Sequence, residues 1–447
     1  MDNTITELNV DSEDIYTSNK NKCVMNEYSI DEYKKKYAVI FSFEELKKYL
    51  PTDQVLHDTG KYMLEYFKKG MYVSFQNGKL KHFLFLNNKD FSPPYQNKIR
   101  IHPRNKFPPN TKLRLTQCLV RFDSIKKDFK KIDFYVMEIL YFLKQLEKKR
   151  IVPDCNFYIN HKDQVLIHKV GNKYYNPFVE AFGNILLEDE WQKCKLGRIF
   201  SFCRMKEYQD IPFVAPDDIK KVFKIYSAGD DGKCENIYLH EVPNIKWKDK
   251  IETAFWRGSS TGCGNNIYTN PRIRLAYLTE KWKLDTPDTS TPLLDARVVQ
   301  WAYKLKKTEK EEMFDRINTD KLKEQGVDLG KRVPIEELYK YKYVINVDGN
   351  VAAYRLGFLF SLNSVVLLVE GKYKLWFQDK LVENVHYIKV KTDLSDLKEK
   401  IMWCRNNDSE CKKIAENGLK FYNEMFTEGS MYDYTIEMFN KMNKIFT

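Results

Sequence analysis

Residues 341–370, "YKYVINVDGNVAAYRLGFLFSLNSVVLLVE", constrain the fold more than any other stretch of the chain. An apolar run of strand length, "YKYVINV", leads into the turn "DGN", a helical run "VAAYRLGFLFSL" and a second apolar run, "SVVLLV". Strand, helix and strand in that order make a βαβ unit, hence a parallel pair within an α/β fold. The turn after the first strand, Asp348 and Gly349, then lies at the carboxyl edge of the sheet, where such folds bind ligands. Gly349 permits close backbone approach, and the following helix would offer N–H groups and a positive dipole end to an anion. Tyr354 and Arg355 fall within its first turn and a half, and helical side chains lean toward the N-terminus, so the guanidinium could reach the same anion. The second strand ends at Glu370, about twenty residues beyond Gly349, where a carboxylate could accept a ribose hydroxyl. D-G-N is also a common turn, and Arg355 could instead pair with a surface acid.

A second corner of the same kind is "FWRGSSTGCGNNIYTNPRIRL", residues 255–275. "TAFWRG" reads as a strand, and "NPRIRLAYLTEKW" as a helix with Asn270 at the cap and Pro271 at its first position. Between them Gly258, Ser259, Ser260 and Thr261 supply backbone N–H groups and hydroxyls in a tight loop. Arg257, Arg272 and Arg274 flank it, and cations at a helix start are disfavoured unless an anion is near. The loop lacks the Gly-Lys-Ser/Thr ending of a Walker phosphate loop. The two corners could converge on one diphosphate; the alternative is a surface loop with ordinary salt bridges. A third candidate is "INHKDQ", where Asp163 follows a strand end and could act as a general base. A loop Asp is also a common turn former.

With 447 residues the chain exceeds one simple core, so two domains are expected. A charged fraction of 30% excludes an integral membrane protein, and the apolar run "SVVLLV" is far below the length of a membrane span. The nine cysteines include no C-x-x-C pair and there is no H-E-x-x-H, which leaves reduced thiols and no metal site. The net charge of +12 comes from lysines spread along the chain, a solvated surface more than a nucleic-acid footprint. Residues 1–30 are acidic and polar, read as loosely packed, and show no signal pattern, which makes the cytoplasm the expected location. Further expectations are a helix capped by Ser42, a hairpin about Asn77-Gly78, a long helix over 124–150, a strand at 155–160 and helices after 393.

Taken together, the motifs resemble glycosyltransferase family 90, which includes protein O-glucosyltransferases and fungal capsule-associated xylosyltransferases. The segments that carry the resemblance are "FYINHKDQ", "YQDIPFVAPDDI", "FWRGSSTG", "NPRIRL", the 341–370 stretch and "VHYIKVKTDLSDLKEKI", in the family's order between about 150 and 425. The resemblance implies an α/β fold of GT-B architecture, two Rossmann-like domains facing across a cleft, with C-terminal helices. Residues 31–245 would form the acceptor domain and 246–425 the donor domain, with 426–447 a helix packing back on the first. It implies a UDP-sugar donor, no required metal or other cofactor, and a glycan or glycoprotein acceptor, with no nucleic-acid partner and no transmembrane segment. Asp163 matches the family's catalytic base in an inverting transfer. Arg257, Gly258, Ser259, Ser260, Thr261, Arg272, Arg274, Asp348, Gly349, Tyr354, Arg355 and Glu370 would surround the donor, and closure of the cleft would complete the site. A catalytically inactive module that binds UDP-sugar or glycan is the alternative. The chain departs from the family at Gln164 and Val165, where an aromatic-Pro pair often follows the Asp, and at Ser260, where an Arg can stand.

Overall fold

The computed structural model describes residues 39–40, 42–87, 134–171, 173–175, 186–225, 227–228, 234–235, 242–285, 291–302, 306–307 and 314–446. The acidic segment 1–30 and the first ten residues of the helix expected over 124–150 lie outside them.

The N-terminal half is built on β1 (Val39–Ile40), β2 (Lys69–Gln76), β3 (Lys79–Asn87), β4 (Cys155–Ile159), β7 (Ile199–Ser201) and β8 (Ile211–Pro212), with a small hairpin of β5 (His168–Val170) and β6 (Lys173–Tyr175) beside them. The six main strands lie in the order β1-β3-β2-β4-β7-β8. Five run in one direction, and β2 opposes its neighbours β3 and β4 because it is the first arm of the Asn77-Gly78 hairpin. Both turn residues have positive φ, 51° and 74°, which the tight two-residue turn requires. Two short helices, α1 (Phe43–Lys47) and α2 (Gln54–Lys61), precede β2, and Ser42 Oγ accepts from Glu45 N at the start of α1. Helices α3 (Phe134–Lys149) and α4 (Pro216–Val222) pack on one another, and Pro216 takes the first position of α4, where its missing N–H costs nothing.

The main sheet of the C-terminal half has five strands, all parallel: β9 (Ile251–Ser259), β10 (Leu294–Gln300), β11 (Tyr341–Asn346), β12 (Val365–Val369) and β13 (Ile388–Val390). Their order, β10-β9-β11-β12-β13, is the doubly wound pattern 2-1-3-4-5. Helix α5 (Pro271–Asp285) connects β9 to β10, and α6 (Leu356–Phe360) connects β11 to β12. The helix expected over 351–362 is shorter than its composition implied. Val351 and Ala352 are buried in the core shared with the N-terminal half, so tertiary contact overrides local propensity and holds 351–355 as a loop. Three helices close the chain: α7 (Leu397–Asn406), α8 (Asp408–Met425) and α9 (Glu428–Phe446).

The two α/β halves face one another across a cleft, the GT-B arrangement, but they are not separate bodies. One apolar core runs from Met71, Phe157 and Phe213 through Val351, Leu356 and Phe360 to Trp376 and Phe377. Beneath it α9 crosses back onto the first sheet, setting Phe439 at 4.7 Å from Phe157 and 5.6 Å from Phe200, ring to ring. A two-residue β-bridge joins the halves directly, Arg204 and Lys374 exchanging N–H···O bonds of 2.9 Å.

At the same seam Asp218 of α4 accepts from Trp376 Nε1 at 2.8 Å and is fully enclosed. Burial pushes its carboxyl up to about 7, against the Trp376 hydrogen bond, which lowers it. A carboxyl raised in the folded state binds its proton more tightly there than in the unfolded chain, so ionisation removes stability as pH rises from about 4 to 7. Asp218→Asn keeps an acceptor for Trp376 and does not ionise. Its melting temperature minus that of the wild type is expected to grow steadily over that window; a constant difference would show that ionisation of Asp218 carries no cost.

Candidate functional site

Strands β9 and β11 flank the point where the strand order of the C-terminal sheet reverses, and in such sheets the crevice beyond that point takes ligands. Each strand runs into one of the two corners singled out in the sequence. Asn270 builds the first corner. Its Oδ1 accepts from Arg272 N at 3.0 Å and Ile273 N at 3.2 Å, capping α5, and its Nδ2 donates to Gly264 O at 3.1 Å. The second corner is closed by Asp348, whose carboxylate accepts from Ala353 N at 3.2 Å, and by Gly349 N, which donates to Val351 O at 2.9 Å.

Arg272 fastens the two corners together. Its Nε donates to Asp348 O at 2.9 Å, Nη1 to Ser259 O at 3.1 Å and Thr261 Oγ1 at 2.7 Å, and Nη2 to Val347 O at 2.9 Å. Four of its five N–H groups are thereby taken by protein oxygens. The interlock leaves no room at Gly349, where a Cβ would stand 2.7 Å from Thr261 Oγ1 and 2.9 Å from Arg272 Nη2. Burial, then the nearby Arg355 charge, pull Arg272 down to about 9, so it remains a cation at neutral pH. Arg355 stands at the cap position of α6, its Nη1 donating to Arg257 O at 2.7 Å.

A cavity of about 330 Å³ opens over this interlock. Gly258, Ser259, Thr261, Arg272, Gly349, Tyr354 and Arg355 line it from the C-terminal half and Asp163 from the N-terminal half. The remaining candidates sit elsewhere. Arg257 turns to the neighbouring strand, its Nη2 donating to Asp295 Oδ2 at 2.8 Å and its guanidinium 4.3 Å from the Phe255 ring. Ser260 is fully buried and its hydroxyl accepts from Ala302 N at 2.8 Å. Asp348 lies beneath the loop, its carboxyl raised to about 6 by burial. Arg274 bears on Asp393, and Glu370 is exposed at the end of β12 with its carbonyl accepting from Thr392 Oγ1; neither lines the cavity. Four residues not singled out beforehand do line it: Asn350, Val351, Ala352 and Ala353. Asn350 Oδ1 accepts from Gly262 N at 3.1 Å, adding another tie between the corners. The D-G-N turn was the available signal for Asn350; nothing marked the three apolar residues, because they belonged to the expected helix.

Two cations brought together in a partly buried site repel, and an anion between them relieves that repulsion. Asp163 is the one carboxylate among the residues that line the cavity, and it comes from the other half. Among the described residues no group of three or more His, Cys, Asp or Glu side chains is placed to hold a metal ion, and no helix is long and apolar enough to cross a membrane.

Known proteins resemble the chain at several levels. An uncharacterized protein of Invertebrate iridescent virus 6 is 30% identical over 451 aligned positions, covering 87% of this chain and 37% of that protein. Protein O-glucosyltransferase 2 of Danio rerio is 28% identical over 300, covering 67% of this chain and 49% of the relative. The chain thus spans half or less of the length of these relatives. Among solved structures, TarM overlaps 45% of this chain and 37% of its own with a TM-score of 0.32 at 15% identity. The model of the family described as Glycosyl transferase family 90 matches residues 122–447, well over half of the sequence, and the chain belongs to that family.

Proposed function

We propose that the chain is an inverting, UDP-sugar-dependent glycosyltransferase that moves glucose or xylose to a hydroxyl of a glycan or glycoprotein. The observation that carries this reading is the cavity itself, with Arg272 and Arg355 on one wall and a single carboxylate, Asp163, on the other. The arginine wall, at the crevice of a doubly wound sheet, suits a diphosphate. Named relatives that are protein O-glucosyltransferases favour glucose and a hydroxyl acceptor. In this reading Asp163 takes the acceptor proton as the oxygen attacks the anomeric carbon from the face opposite UDP. Cleavage places negative charge on the β-phosphate, which Arg355 and the remaining N–H of Arg272 stabilise most as the bond breaks. The proposal requires no metal and places the reaction in the cytoplasm.

The test pairs binding with turnover. UDP is expected to raise the melting temperature, and purified protein to consume one UDP-sugar in preference to others. A thermal shift without turnover of any donor would favour the inactive binding module, and no response to UDP would end both readings. Arg355→Ala is expected to lower kcat/KM by on the order of a hundredfold, as for loss of one charge contact to a leaving group. A loss below threefold would remove Arg355 from the donor site.

A further inference from the structure

We propose that Asn160, braced by Ser201 and Asp210, is the positioning residue for Asp163; the inference rests on the reading of Asp163 as the base. Asp163 stands exposed at the tip of the loop between β4 and β5, whose two ends are buried. The residues on either side of it are held by one side chain. Asn160 Oδ1 accepts from Lys162 N at 2.8 Å, and its Nδ2 donates to Gln164 O at 2.6 Å. Gln164 N in turn donates to Lys162 O at 2.8 Å, closing the loop around Asp163.

Asn160 is itself fixed from below. It is wholly buried, and its backbone N–H donates to Phe200 O at 2.8 Å, so it continues the pairing of β4 with β7. Its Nδ2 also donates to Ser201 Oγ at 3.0 Å, and Ser201 Oγ donates to Asp210 Oδ1 at 2.5 Å. Asp210 accepts as well from Leu166 N at 2.8 Å and Ile167 N at 2.9 Å, pinning the far end of the same loop. Three buried polar side chains, from the ends of β4 and β7 and the entry to β8, thus converge on the eight residues 160–167. Buried polar groups are costly unless satisfied, and a satisfied network gives a site a single geometry. Here the geometry is that of the loop which carries Asp163 into the cavity.

The experiment compares Asn160→Ala, Ser201→Ala, Asp163→Asn and the double variant Asn160→Ala/Asp163→Asn, assayed with the donor the wild type consumes and with excess enzyme for weak variants. A misplacement of about 1 Å can cost on the order of a hundredfold. Asn160→Ala is therefore expected to lower kcat at least tenfold while donor KM and the UDP thermal shift stay unchanged. In the Asp163→Asn background the same change should cost less than twofold, because residues acting as a unit are non-additive. Ser201→Ala, which removes only the brace, should lower kcat severalfold with the same unchanged KM; it replaces Asn160→Ala in the cycle if that variant does not fold. Equal losses in both backgrounds would overturn the proposal, as would kcat within threefold of wild type for both Asn160→Ala and Ser201→Ala. Full activity in Asp163→Asn alone would instead remove the base assignment.

Discussion

Asp163→Asn is expected to lower transfer by about 10³-fold, inside the span of roughly 10²–10⁴ typical of a positioned general base. The substitution changes little in size and removes the negative charge together with the ability to take a proton. Asp163 is exposed, so the fold should tolerate the change, and UDP should still raise the melting temperature through the opposite wall of the cavity. Measuring turnover and the UDP shift on one preparation separates chemistry from binding. Transfer within fivefold of wild type would end the base assignment. Loss of both readouts together would mean that Asp163 supports the donor wall, not the proton transfer.

Arg272→Ala is expected to be the more damaging change, and in a different currency. Arg355→Ala should leave the protein stable and slow it, whereas Arg272→Ala removes the clasp between the two corners. Its loss strands the carbonyls of Ser259, Val347 and Asp348 in a buried site. A buried acceptor left without its donor typically costs about 1–3 kcal/mol, several are stranded together here, and the corners that shape the cavity would part as well. Thermal melting should fall by many degrees and UDP should produce no shift. Lysine should not restore either property, since one ammonium cannot span the four oxygens that the guanidinium fork reaches. Normal melting together with a normal UDP shift in Arg272→Ala would show that the corners hold without their clasp.

These predictions treat two neighbouring arginines differently, and the sequence alone did not separate them. The local elements were readable because their signals are local. Asn270 and Pro271 announce the start of α5, Asn77-Gly78 the hairpin, and the apolar runs at 341–346 and 365–369 the parallel strands. The assignments of individual arginines were not readable, because their partners are distant in sequence. Arg257 meets Asp295 only once β10 pairs beside β9, and Arg272 meets Val347 and Asp348 only once β11 lies on the other side. The same holds for Asn160 and Asp210, which appear in the sequence as an ordinary strand end and a turn before a proline. Their significance is a matter of strand order. The shortened α6 was hidden for a related reason, since the composition of 351–362 suits a helix and only contact with the other half opposes it.

The continuous core under the cleft also bears on how chains of this fold can be recombined. Helix α9 follows the second half in sequence but packs against strands of the first half, and Tyr434 closes this return by donating to Pro212 O at 2.8 Å. A chimaera that exchanges the second half for that of a relative therefore exchanges part of the first half's floor as well. It also mismatches the Arg204–Lys374 bridge and the Trp376–Asp218 contact at the seam. If the proposed function holds, donor preference is better altered by point changes along the 349–355 loop, because the unit that packs as one in this fold is the two halves with their shared floor.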